Sequence, residues 1–238
     1  MRTKTRGWIL AIALAAMIAA PGLALAEDET DLGQARLQLP GEFVRRVEND
    51  KAVIILGYRV ANNSVGDDWL LLEVAMTVLR GTPTMTLTRD DFKVMTPDGK
   101  LVALATQEAF SEAGRLRALN EQASRTPDSL SYLPGEANVA CRIGFFWSES
   151  LGPRAGAHDQ FSVNPTSACM GRLFFKMPDP IDYGQHQLAV NLEGAVQKVP
   201  FLIMTKEELK EKKQEYKQKK KEWKQQQKEA KKAASEPN

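Results

Sequence analysis

Apolar residues recur with a period of two through most of the middle of the chain. Val53, Ile55 and Gly57 alternate against Ile54, Leu56, Tyr58 and Val60, and the run at 69–79 is apolar on nearly both faces, broken by Glu73 and Thr77. Such runs suit the central strands of a sandwich. Turn-tolerant residues fill the stretch at 62–68, which predicts a hairpin or a short crossover between the two runs. Further strands are expected at 85–88, 92–96 and 100–104, with Pro97-Asp98-Gly99 turning the last two.

At 106–123 the period changes. Phe110, Ala113, Leu116, Arg117 and Asn120 recur at three and four among strong helix formers, so this segment is expected to be a helical insertion ending near Thr126-Pro127. Strand character returns at 138–147, breaks for a long loop at 148–166, and resumes at 172–177, 187–192 and 196–204. About nine strands with one helical insertion predict a mainly β chain, an antiparallel β-sandwich with an embellishment.

The tail carries a different pattern. From Lys206 a seven-residue unit repeats four times, placing Glu, one larger or apolar residue and Lys in the same register and putting Leu209, Tyr216, Trp223 and Ala230 on one stripe. Thr205 and Glu208 have capping-box spacing, and pairs such as Glu208 with Lys212 stand four apart. The expectation is an extended helix of about 42 Å. One apolar position per heptad is too narrow for a full coiled-coil seam, leaving a weak partner seam, a solvated helix or an electrostatic tether as its uses.

Charge sharpens the division. Residues 27–204 hold 17 Lys/Arg against 23 Asp/Glu, a net −6, whereas residues 205–238 hold 12 Lys against 7 Glu, a net +5. A basic tail on an acidic body reads as an interaction segment. Its candidate docking residues are Lys210, Tyr216, Lys217, Trp223, Lys224 and Lys231, with the aromatic rings placed to meet an interface and the lysines an anionic surface.

The first 26 residues read as a secretory signal. Arg2, Lys4 and Arg6 precede an apolar run at 8–20, then Pro21-Gly22 and Ala24-Leu25-Ala26. An apolar run of about 13 residues is short for a span, which takes roughly 20. Cleavage after Ala26 would leave no transmembrane segment, so a periplasmic or secreted protein is expected. Export also argues against nucleic acid as the partner of the lysines.

An oxidising compartment gives the two cysteines a meaning. By parity Cys141 shares a face with Ile143, Phe145 and Trp147, and Cys169 with Leu173, Phe175 and Met177, so both sulfurs point toward the core. A disulfide is expected rather than two buried thiols.

Three stretches of this chain resemble the immunoglobulin-like domains of uncharacterised secreted and lipoprotein-type bacterial proteins: Gly57-Tyr58-Arg59-Val60-Ala61-Asn62-Asn63, Leu87-Thr88-Arg89-Asp90-Asp91-Phe92, and Gly171-Arg172-Leu173-Phe174-Phe175-Lys176-Met177-Pro178. The resemblance covers about residues 50–204 and implies an immunoglobulin-like sandwich in an extracytoplasmic setting. It brings no catalytic residues, and the helical insertion, the 148–166 loop and the tail depart from it.

Candidate chemistry is sparse. His158 and His186 lack metal or nucleophile spacing and read as exposed loop residues. Asp67-Asp68, Asp90-Asp91 and the group Asp179, Asp182 and Tyr183 fall in turns, where Asp bonds the local backbone. Paired carboxylates could instead serve a carbohydrate-active hydrolase. Phe145-Phe146-Trp147 is the densest aromatic cluster, expected to pack in the core rather than to offer a platform. The sequence therefore points to a non-enzymatic binding or scaffold protein without metal or cofactor, docked by its tail to an anionic envelope surface or an envelope protein. The alternatives are the hydrolase and a ligand-carrying or chaperone-like sandwich.

Overall fold

Strand pairing begins earlier than the hydrophobic pattern predicts. The computed structural model describes residues 35–128, 130–147 and 156–235, and within them β1 (Arg36–Gly41) and β2 (Val44–Glu48) already form an antiparallel pair. The chain divides into two units, Met1–Asp31 and Leu32–Asn238. The signal segment at 1–26 lies outside the described residues.

The two runs read as central strands are β3 (Ala52–Gly57) and β4 (Trp69–Val78), paired with Ile54 opposite Met76 and buried at every position. β5 (Met85–Thr88), β6 (Phe92–Met95) and β7 (Leu101–Ala103) follow where the pattern puts them. β8 (Val139–Ile143) ends before the aromatic cluster, and β9 (Gln160–Val163) stands inside the stretch read as loop. β10 (Ser167–Lys176) starts five residues before the strand expected at 172, and β11 (Gly184–Leu192) and β12 (Ala195–Ile203) complete the set.

The sheets are mainly antiparallel. One has six strands in the order β1-β2-β3-β4-β10-β8, one has four in the order β12-β11-β6-β7, and β5 pairs with β9. The single parallel pair among the described strands is β8 with β10, in register Cys141 to Cys169. Side chains from both large sheets, including Leu56, Leu72, Phe175, Leu188, Val190 and Phe201, share one core, the arrangement of a sandwich. Gly171 is where β8 closes on β10: a Cβ there would collide with the Ile143 carbonyl oxygen.

The outer face of the six-stranded sheet is covered as well. The helical insertion is two helices, α1 (Gln107–Glu112) and α2 (Leu116–Arg125), rather than one, because the chain turns extended at Ala113. The Thr106 side chain caps the first by accepting the Ala109 amide. Phe110, Leu116, Leu119 and Ala123 are buried, while Arg117, expected on the apolar face, is exposed and pairs with Glu121. Phe110 packs on Phe146 and Phe174, each at 4.9 Å between ring centroids. Residues 126–137 continue the cover: Leu130 and Leu133 pack on a second buried cluster of Val44, Val53, Ile55 and Ala75.

Two polar links pin this cover. Arg172 donates to the Asn120 carbonyl and side chain and to Ser124 on α2, and its Nε reaches Glu73 at 3.2 Å. Asp128 accepts from the Arg59 amide and Nε, both at 3.0 Å, while its own amide donates to Glu73. Burial pushes both carboxyls up, against the pull of their arginine partners. Residues Lys206–Ser235 are α3.

Candidate functional site

The tail is fixed to the sandwich by a short chain of bonds. Buried Asn62 donates from Nδ2 to the Leu202 carbonyl and accepts the Met204 amide on Oδ1, holding the chain as it leaves β12. Thr205 and Glu208 then form the capping pair: the Glu208 carboxylate accepts from the Thr205 amide and hydroxyl, and the Thr205 hydroxyl oxygen accepts the Glu208 amide. One turn on, Leu209 is half-buried and packs against the main core.

Lys212 is half-buried on the same side. It lies within electrostatic range of Arg45 and Glu42, and burial lowers its pKa, with Arg45 adding to the effect. Arg45 sits 4.8 Å over the Tyr58 ring, and Arg59 sits 4.4 Å over Phe43. Burial pushes the Tyr58 phenol up to about 12 and the Arg45 guanidinium down. The seat therefore gathers Lys212 and Arg45, and Glu215, Glu42 and Glu208 are the carboxylates that act against them on Lys212.

The lysines on the other side are free of this seat. Lys206, Lys210, Lys213, Lys217 and Lys221 are all exposed. Lys210 and Lys217, two of the expected docking residues, are among these exposed side chains. The side chains of Tyr216, Trp223, Lys224 and Lys231 lie outside the described residues.

The acidic pairs do not converge. Asp67 bridges to Arg115 at 2.7 Å, Asp91 caps a 3-10 turn with Thr88 and accepts from Asn191, and Asp179 pairs with Lys100 at 2.8 Å. The three groups lie apart, each with its own partners, and among the described residues no cluster of three His, Cys, Asp or Glu side chains could hold a metal. The acids that are linked are Glu73 and Asp128, through the Asp128 amide donating to the Glu73 carboxylate, and the turn-based reading missed them. They lie under the cover rather than in a cleft, each bonded to an arginine.

A cleft of about 240 Å³ opens beside β11, lined among others by Thr96, Asp98, Lys100, Met177, Asp179 and His186. Lys100 bridges two of its acids, Asp98 at 2.9 Å and Asp179 at 2.8 Å, and the third, Asp182, accepts the Tyr183 amide. The Thr96 hydroxyl and Lys100 hold Asp98 down to about 2, and the two acids hold Lys100 above its usual range. His186 is not the exposed loop residue expected. It is 1% exposed within β11, stacked on Phe201, with Nδ1 3.1 Å from the Gly184 carbonyl.

Burial lowers the His186 pKa from 6.5, which sets a pH dependence. The unfolded chain binds this proton more readily than the folded one, so the His186 contribution is intact above pH 6.5 and is lost as pH falls toward the folded pKa. Urea denaturation between neutral and mildly acid pH should show falling stability, and H186F should flatten that slope. An unchanged slope in the variant would assign the dependence to other groups.

Cys141 and Cys169 form the expected disulfide, with Cα atoms 4.1 Å apart on adjacent strands. Cys169 is fully buried and Cys141 half-buried. Phe145 and Phe146 are buried on opposite sides, one against Phe92 and Phe161 and the other against Phe110 and Phe174, so this pair forms no open platform. The loop residues 148–155 lie outside the described residues. Among the described residues no helix is long and apolar enough to cross a membrane. No protein-family model matches the chain, and comparison with curated proteins and with solved structures finds no significant match.

Proposed function

We propose that this protein is a non-enzymatic extracytoplasmic binding or scaffold protein. Its body is an immunoglobulin-like sandwich of the secreted or lipoprotein type, exported by its first 26 residues, and its extended basic C-terminal helix docks it to an anionic envelope component. The observation that carries this reading is the exposure of Lys206, Lys210, Lys213 and Lys217 beside a half-buried Leu209 and Lys212. Cationic side chains that served the fold would be the ones turned inward. The acidic body and the disulfide fit the same setting.

A second reading has one feature in its favour. β1 is an outer strand of the six-stranded sheet, with Leu37 39% and Leu39 62% exposed, the kind of edge a ligand-carrying or chaperone-like sandwich would use.

The docking reading is tested on the full chain. The variant K210Q/K217Q/K224Q/K231Q should cosediment with isolated envelopes far less than the native sequence, and the native binding should weaken as salt rises from about 50 mM to several hundred millimolar. Equal binding by both forms at every salt concentration would end the tether.

A further inference from the structure

We infer that the exposed lysine row of α3 is a bilayer-docking face, which adsorbs lengthwise on a membrane rich in anionic phospholipid. This rests on the docking role proposed above and names its partner.

At about 100° per residue the described positions of the helix sort into three sectors. Leu209 and Lys212 define the side seated on the sandwich. Lys206, Lys210, Lys213, Lys217 and Lys221 fall in a sector of about 80°, turned roughly 110° from that seat, and all five are exposed. Glu207, Glu211, Glu215 and Glu222, also exposed, fall in a third sector. Lysines 220, 224, 228 and 231 continue the cationic row in the sequence, extending it to about 38 Å from Lys206 at 1.5 Å per residue.

The width of the row points to a surface rather than a thread. A planar array of phosphates engages lysines across the whole sector at once, whereas a single anionic polymer strand meets mainly those on the central line. The segregation of the glutamates matters too, because with the lysines down the carboxylates face away from the headgroups. The seven-residue period carries the Leu209 stripe to positions 216 and 223, which fall about 100–120° from the centre of the lysine row, on the seat side. Meanwhile the body, at net −6, is repelled by an anionic surface, so contact is confined to the helix.

The test uses the full chain and vesicles of phosphatidylglycerol and phosphatidylcholine, with pure phosphatidylcholine vesicles and soluble long-chain polyphosphate as comparisons. The native protein should partition onto the anionic vesicles, ignore the zwitterionic ones, and detach as salt rises. The neutral variant K210Q/K213Q/K217Q should bind about 100-fold more weakly, at roughly fivefold per lysine. The exchange K210E/E211K/E215K/K217E keeps the net charge but breaks the row, and should weaken binding by at least about 25-fold. Circular dichroism of each variant confirms that the helix is retained.

Exchange without loss of binding would show that net charge alone acts and would overturn the lysine face. Binding to polyphosphate but not to vesicles would overturn the bilayer while leaving an anionic partner in place. Binding to none of these probes, together with undiminished envelope binding by the four-lysine variant, would remove the docking role itself.

Discussion

Removing the disulfide, by reduction or as C141A/C169A, is expected to cost about 3.5 kcal/mol, the chain-entropy value for a closed loop of this size. The two cysteines are 28 residues apart in sequence and are direct partners in the parallel β8–β10 pair. That location makes the loss local as well as global. β8 is a five-residue outer strand, mostly exposed, and its neighbour in the sheet is β10 alone. Without the covalent link it is held by slanted parallel hydrogen bonds and by the burial of Ile143. The melting temperature should fall by roughly 10 °C for a domain of this size. Amide exchange should accelerate first at residues 139–143. If reduced protein melts within a degree or two of the oxidised form, the disulfide is not what holds this edge.

The disulfide was legible in the sequence because parity is a local property. Two alternating runs, each led by a cysteine, put both sulfurs on the inward face whatever the sheet order. The same reasoning found β3 and β4, whose positions are apolar on both sides because α1, α2 and residues 126–137 cover the outer face. It failed for β1 and β2. There the outer strand is exposed at Leu37 and Leu39, carries Pro40 and shows no clean alternation. β9 was lost inside a long polar stretch for a related reason, since its partner is the short β5 and alternate residues face solvent.

The candidate site divides along the same line. The free lysines of α3 follow from a repeat anyone can count. The seat does not, because Lys212, Arg45 and Glu42 meet only once the first hairpin and the tail are folded together. His186 reads as a loop residue until the strand that buries it is known to begin at Gly184. Glu73 was visible as a lone acid in an apolar run, yet nothing nearby in the sequence announces Asp128, 55 residues away.

That long-range pair supports the second large effect, a loss of about 3 kcal/mol in D128A, the lower end for breaking a buried ion pair. The lower end applies because the Arg59 side chain is 34% exposed and stays partly solvated when its partner goes, whereas the Asp128 side chain is only 1% exposed. The substitution also strands the Arg59 amide, which Asp128 accepts at 3.0 Å. Gly57 supplies an independent check on this packing. A Cβ at Gly57 would stand 2.8 Å from the Asp128 Cβ, so G57A should cost about 1–3 kcal/mol by overpacking. In a D128G background that Cβ is absent and G57A should cost little, giving a coupling energy of about 1–3 kcal/mol in a double-mutant cycle. The pH dependence has a definite sign. Burial raises the folded-state pKa of Asp128 from 3.8 and of Glu73 from 4.5, so the folded chain holds these protons longer than the unfolded one. Stability from this pair therefore falls as pH rises from about 4 through the raised values, opposite to the His186 trend. Denaturation across that window should show D128A with a shallower decline than the native protein. Additive costs for G57A and D128G, or an unaltered slope in D128A, would mean that Asp128 is not packed against Gly57 and Arg59 as described.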